Sequence, residues 1–279
     1  MEEKKDKPKQ LRLRMYNVVI HPAKMQSVEA YISLFDKIHT LARTYDTGTD
    51  KRTKLRSYSK AEDVIFGTLI NYSTLDGENW YDSSSDEVVT HKIEPNIFPN
   101  AKEWDFYFLP EKHRMAVVVK RGVSWIQFEK YMNKAFLDAA ESLGLDEVRF
   151  TNETSQEGID EIFSLESIDS IEIEVSYSNN DTNDITAEFI DRELKKSNVN
   201  VYKTKATGTK LNPILLGNAR SYLGSLVMLS KHNGFTKAIG KFNHRTKKIN
   251  TNNYPSVETV KVTEQNKLSI IKNLIRTLF

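Results

Sequence analysis

Apolar and polar positions along the chain set out a succession of short strands and amphipathic helices. Residues 11–20, LRLRMYNVVI, open with period-two alternation and close in an apolar run, which predicts a strand that His21-Pro22 stops. Val28, Tyr31, Phe35, Ile38 and Ala42 recur on one stripe and predict a helix over about 24–43, with His39 at its border. Strands follow near 54–59 and 62–72. Gly67, inside DVIFGTLINY, predicts a bulge or a close backbone approach. The polar loop LDGENWYDSSSDE carries Trp80 and Tyr81, which either pack on a sheet or offer a stacking surface. Residues 104–120 predict a hairpin in which WDFYFL and RMAVVVK flank a turn at Pro110–His113. Ser124 opens a helix, with Gln127 completing a capping box. Trp125, Phe128, Met132, Phe136, Ala139 and Leu143 form its stripe, and Gly144 stops it.

The second half continues in the same manner. EVRFT predicts a strand and residues 156–165 a helix. Over 170–178, Ile171, Ile173, Val175 and Tyr177 alternate with Glu172, Glu174 and Ser176, the pattern of a half-buried strand. Asp184 caps a helix running to about 196, and a strand over 199–206 suggests a right-handed crossover onto one sheet. Asn212-Pro213 predicts a helix start with proline at the first helical position, running to about 231, with Gly217, Ser221 and Gly224 together on one side. Residues 235–263 predict strands around the loop HRTKKINTNNYP, and Leu268, Ile271, Ile275 and Leu278 mark a last helix over 266–279. The elements sum to an α+β fold of mixed, mainly antiparallel sheets with packed helices in two lobes. A disordered tail is expected over 1–9, an N-terminal α+β lobe over 10–145 and a C-terminal α/β lobe over 146–279.

Charge separates these halves more sharply than the pattern does. The whole chain carries a formal charge of +2, but residues 194–257 contain no acid at all. Residues 201–279 hold 14 Lys/Arg against two Glu, whereas 141–200 hold 4 Lys/Arg against 16 Asp/Glu. Such polarity concentrates positive potential on one region, for which phosphate backbones are the commonest partners. The same polarity lets the two regions attract each other. The candidate nucleic-acid contacts are Lys203, Lys205, Lys210, Lys237, Lys241, Phe242, His244, Arg245, Lys247 and Lys248, densest in the stretch Lys241–Lys248. Lysine and arginine neutralise phosphates, aromatics stack on bases, and the intervening Asn and Thr suit phosphate and sugar contacts.

Composition narrows the chemistry further. Cysteine is absent, which excludes disulfides, thiolate nucleophiles and thiolate metal sites. No apolar run approaches the roughly 20 residues that span a bilayer, and the charged start MEEKKDKPKQ is unlike a secretory signal. A cytoplasmic protein without membrane attachment is therefore expected. The six histidines, at 21, 39, 91, 113, 232 and 244, form no metal-binding pair, no G-x-S-x-G elbow occurs, and ATGTK at 206–210 lacks phosphate-loop spacing. No cofactor is expected. Among Asp169, Glu172, Glu174, Asp181 and Asp184, the pair Glu172 and Glu174 shares one strand face and supports an alternative, a metal-dependent nuclease with the basic surface as its groove. Against it, Ser176 stands where restriction-type nucleases carry lysine, and an exposed strand face balanced by Lys203 and Lys205 explains the glutamates more simply. A third possibility is a regulatory subunit whose acidic and basic blocks pair between protomers.

Three segments, YNVVIHP (16–22), FGTLINYSTLDGENWYD (66–82) and DFYFLPEKHRMAVVVKRGVSWIQFEKYMNKAF (105–136), resemble in order and spacing a bacterial family of unknown function that occurs among phage-defence genes. More loosely, the hairpin and its helix are similar to part of the RexA phage-exclusion proteins, sequence-tolerant DNA-binding dimers. The resemblance covers about residues 11–140 and carries no catalytic residue. It implies an intracellular antiphage or abortive-infection role, a homodimer and a possible partner protein from a defence operon. The expected function is therefore largely sequence-independent binding of nucleic acid, DNA before RNA.

Overall fold

The opening alternation produces the longest strand of the molecule, β1 (Lys9–His21). In a computed structural model of the chain, which describes residues 7–74, 79–90, 96–176 and 185–279, this strand is the hub of an eight-stranded antiparallel sheet. On one edge β1 pairs through Leu13–Asn17 with β8 (Arg114–Val118). On its other edge it has two partners placed end to end. Lys9–Arg14 pair with β14 (Val257–Val262), and Tyr16–His21 pair with β9 (Glu147–Asn152). Beyond β8 lie β7 (Lys102–Leu109), β4 (Val64–Ser73), β3 (Lys51–Ala61) and β2 (Thr44–Gly48), in that order. The expected 104–120 hairpin is β7–β8, turned by a 3-10 segment at Pro110–Lys112 with His113 left-handed.

Helices α1 (Val28–Leu41) and α2 (Trp125–Leu143) cover one face of this sheet. Their stripes meet strand aromatics in a core of Tyr16, Tyr31, Phe35, Trp104, Phe106, Phe108, Phe128, Phe136 and Phe150. Helix α6 (Lys267–Leu278) covers the opposite face, setting Ile271 and Ile275 on Leu13, Met15, Tyr107, Leu109 and Val118. Ser27 caps α1 as an N-cap should, accepting from Ala30 N at 3.1 Å. Ser124 stands at the N-cap of α2, but its hydroxyl makes no cap bond, so the expected capping box does not form.

The second sheet is four-stranded and antiparallel, in the order β11 (Tyr202–Thr207), β10 (Ser167–Val175), β12 (Gly234–Phe242), β13 (Arg245–Asn250). Helices α3 (Gln156–Phe163), α4 (Ile185–Lys196) and α5 (Tyr222–Asn233) supply its hydrophobic cover, with Ile159, Ile162, Leu194, Leu226 and Leu229 against Ile168, Ile171, Ile173, Val175, Ala238 and Ile249. A separate two-stranded ribbon, β5 (Asn79–Asp82) with β6 (Glu87–Thr90), carries Trp80 and the exposed Tyr81.

The α+β class is the one expected, with several local differences. β10 and β11 are antiparallel neighbours, so the connection through α4 is no parallel crossover. The helix expected at Asn212-Pro213 begins nine residues later at Ser221, whose Oγ accepts from Gly224 N at 3.0 Å; Ile214 instead bridges to Ile168. The stretch expected as a basic loop is a β-hairpin. Asn243 and His244, both with positive φ, form its two-residue turn, the geometry that matches strand twist. Three elements after residue 146 go with the first sheet, β9 and β14 as strands of it and α6 packed on its face. Lys9 already pairs within β1, whereas residues 1–6, His91, Tyr177, Asp181 and Asp184 lie outside the described residues.

A buried polar seam joins the two sheets. Arg114 and Glu153 are 0% and 1% exposed and pair at 2.7 Å. His232 Nδ1 lies 2.6 Å from the other Glu153 oxygen. Asn17 accepts from Arg114 and donates to Asn233 Oδ1 at 2.6 Å.

Candidate nucleic-acid interface

With α3, α4 and α5 on one face of the second sheet, alternation sends every other residue to the opposite, open face. The strand register arranges these in rows. Lys203, Glu174 and Phe235 lie side by side; next come Lys205, Glu172, Lys237 and Asn250; then Thr207, Ser170, Ile239 and Lys248; and last Ser167, Lys241 and Thr246. Successive rows are about 7 Å apart along the strands, two residues of rise. Asp169 is the extra residue of a bulge between Ile168 and Ser170.

Of the ten candidate residues, five therefore share this face: Lys203, Lys205, Lys237, Lys241 and Lys248. The other five do not. Lys247, one residue from Lys248, points to the helix-covered side, pairs with Glu161 of α3 and lies 4.6 Å over the Phe242 ring. Phe242, His244 and Arg245 make up the hairpin tip, held by Asn243 N donating to Glu166 Oε1 at 3.0 Å. Lys210 sits in a turn closed by Thr209 and Asn212. Its loop meets the hairpin-tip end of the sheet through Gly208 N, which donates to Asp169 O at 2.9 Å.

Glu172 and Glu174 lie among the lysines, but Glu172 is balanced by Lys237 of β12 where Lys205 of β11 was expected. Lys237 approaches Glu172 at 3.5 Å and Lys203 approaches Glu174 at 2.8 Å. Burial works against the Glu174 carboxylate, but Lys203 and Arg149 outweigh it and hold its pKa below the ordinary value. Among the described residues no group of three or more His, Asp or Glu is placed to hold a metal. The acidic and basic blocks thus meet within one chain, at Glu172–Lys237, Glu174–Lys203 and Glu161–Lys247. On the open face five lysines still oppose two glutamates. Lys205 and Lys248 are exposed with no carboxylate partner among the described residues.

At the Glu174–Phe235 row the face runs into a cleft of about 220 Å³ between the two sheets, which sequence reasoning missed. Its walls include Glu174 and Phe235 from the second sheet, Asn133 and Glu129 from α2, Thr151 and Asn152 from β9, and Asn252 from the turn after β13. Arg14 also lines it, bonded to Glu129 at 3.0 Å and Asn152 at 2.9 Å and lying 4.8 Å from the Trp125 ring. Phe235 was legible as the start of the alternation in GFTKAIGKF, but nothing local tells that α2 and β9 complete the pocket.

The fold and site define an α+β protein whose second sheet has a helix-covered face and an open lysine-bearing one. The chain belongs to the family described as Domain of unknown function (DUF4747), whose model matches residues 9–276 and so takes in both sheets. No curated protein matches the chain. No helix among the described residues is long and apolar enough to cross a membrane.

Proposed function

We propose that the chain binds nucleic acid, DNA before RNA, through phosphate-backbone contacts on the open face of the second sheet and with little sequence preference. The observation that carries this is the strand register, which gathers Lys203, Lys205, Lys237, Lys241 and Lys248 on one solvent-exposed surface. Exposed ion pairs of the Lys237–Glu172 kind contribute only about 0.2–1 kcal/mol, so an arriving phosphate displaces them at small cost. The resemblance over residues 11–140 supports a setting in antiphage defence or abortive infection, in the cytoplasm and as a homodimer.

A fluorescence-anisotropy titration over a salt series, with labelled DNA and RNA, tests this. The wild-type chain should lose affinity steeply with salt. Lys205→Glu with Lys248→Glu should weaken binding at least tenfold and flatten the salt slope by about 0.7–0.9 for each phosphate no longer neutralised. Circular dichroism checks that the variant is folded. Absence of any salt-dependent binding by the wild-type chain would refute the proposal.

A further inference from the structure

We propose that the nucleic acid is single-stranded and that the cleft at the Glu174–Phe235 end of the lysine face takes one of its unpaired bases. The proposal rests on the nucleic-acid function proposed above and adds the class of strand.

Continuity comes first. Glu174 and Phe235 belong both to the first row of the open face and to the cleft wall. Lys237 lies 4.5 Å over the Phe235 ring, so a cation of the face and an aromatic of the cleft are in direct contact. Lys205 and Lys237 stand one row away, about 7 Å along the strands. A backbone held by that pair passes the mouth of the cleft.

Size and chemistry select what enters. A cavity of about 150 Å³ takes a benzene-sized ring, while drug-sized ligands need about 300 Å³ or more. At about 220 Å³ the cleft suits one heterocycle and excludes a base pair. Its charges are already matched, Arg14 by Glu129 and Glu174 by Lys203 and Arg149. The cleft therefore has no surplus cation for a phosphate, which is left to the lysine rows. What remains on its walls are aromatic rings (Tyr16, Phe150 and Phe235), the Thr151 hydroxyl, the Asn133, Asn152 and Asn252 amides and carboxylate oxygens. Asn133 Nδ2 gives one N–H to Glu129 O, leaving its second N–H to donate and its Oδ1 to accept. Rings, amides and carboxylates are the groups that stack on an unpaired base and bond its edge.

The shape of the face argues against a duplex. The groove of a duplex admits a helix or a two-stranded ribbon. Here the helices lie on the other side of the sheet, and the β12–β13 turn is at the end away from the cleft. A row of cations leading into an aromatic-lined cleft combines the charge and the stacking that hold single strands.

The test uses the full chain and four labelled ligands at one salt concentration: a mixed-sequence single-stranded DNA, the same strand with abasic positions throughout, its duplex, and the RNA of that sequence. The single strands should bind at least tenfold tighter than the duplex, and the abasic strand should lose about 5- to 100-fold, the range of one stacked base. Phe235→Ala should cost the intact strand that factor and leave abasic binding unchanged. Asn133→Trp, a change at an exposed helix position that fills the cleft, should do the same should Phe235→Ala fold poorly. Duplex binding equal to or tighter than single-strand binding, or equal losses on intact and abasic strands, overturns this inference and leaves the binding face standing. Failure of all four ligands to bind overturns both.

Discussion

At the scale of single residues, the chemistry of the open face depends on lysines that are only partly neutralised. Glu172 lies in register between Lys205 and Lys237, pairs with Lys237 and is 44% exposed, so it competes with phosphate for Lys237. Glu172→Gln should therefore tighten nucleic-acid binding roughly two- to fivefold, the worth of one exposed pair. Anisotropy at moderate salt measures this. Preserved binding with loss of a DNA-directed activity would instead favour the metal-nuclease alternative. The sequence made this site half legible. Lys237 and Lys241 announce a shared face by alternating with the buried Thr236, Ala238 and Gly240. Lys247 and Lys248 look equivalent as neighbours in a basic run. Adjacent strand residues point to opposite faces, so only Lys248 joins the lysine face.

At the scale of elements, close backbone approaches decided where the pattern was obeyed. Gly67 of β4 pairs with Tyr58, just beyond the β-bulge between Leu55 and Ser57 of β3, and a Cβ there would collide with the Ser57 carbonyl and touch the Phe106 ring. Gly67→Ala should cost about 2 kcal/mol or more by overpacking, read as a lower urea midpoint at unchanged slope. The strand and its glycine were legible because both signals are local. The start of α5 was not. Pro213 is compatible with a first helical turn, but Gly217 takes a left-handed φ of 71° and breaks any helix there. A Cβ at Gly224 would meet the Asn218 carbonyl, so Gly224 lets the preceding loop fold over the start of α5. Gly217 and Gly224 thus serve a loop-to-helix turn, where their spacing suggested one face of a longer helix.

At the scale of the molecule, the two sheets are held by a seam of polar groups withdrawn from water. Glu153 accepts from Arg114 on one side and faces His232 of α5 on the other, so one carboxylate ties the first sheet to the second. Removing one partner of a buried pair leaves the other charge uncompensated, which costs about 3–5 kcal/mol. Glu153→Gln should lower stability by that order in a single cooperative unfolding transition by calorimetry. Two separate transitions, with only one displaced, would show that the sheets fold independently. Integration is also topological. The C-terminal β14 and α6 return to the N-terminal strand β1, and the family match from 9 to 276 spans the same unit.

The sequence by itself determined most helices and the long strands, the α+β class and the charge polarity, while the β5–β6 ribbon read as loop. Period-two and period-3.6 patterns, turn residues and charge runs are properties of short stretches, and they survive in any tertiary setting. Tertiary structure alone decided which edge each strand found and which carboxylate met which lysine. Met15 shows why. Its amide donates to Ser256 O, more than two hundred residues away, and its carbonyl accepts from Glu153 N. Backbone donors and acceptors carry no residue identity. The choice of partner is made by packing and register over the whole sheet, and that choice closed the cleft beside the lysine face.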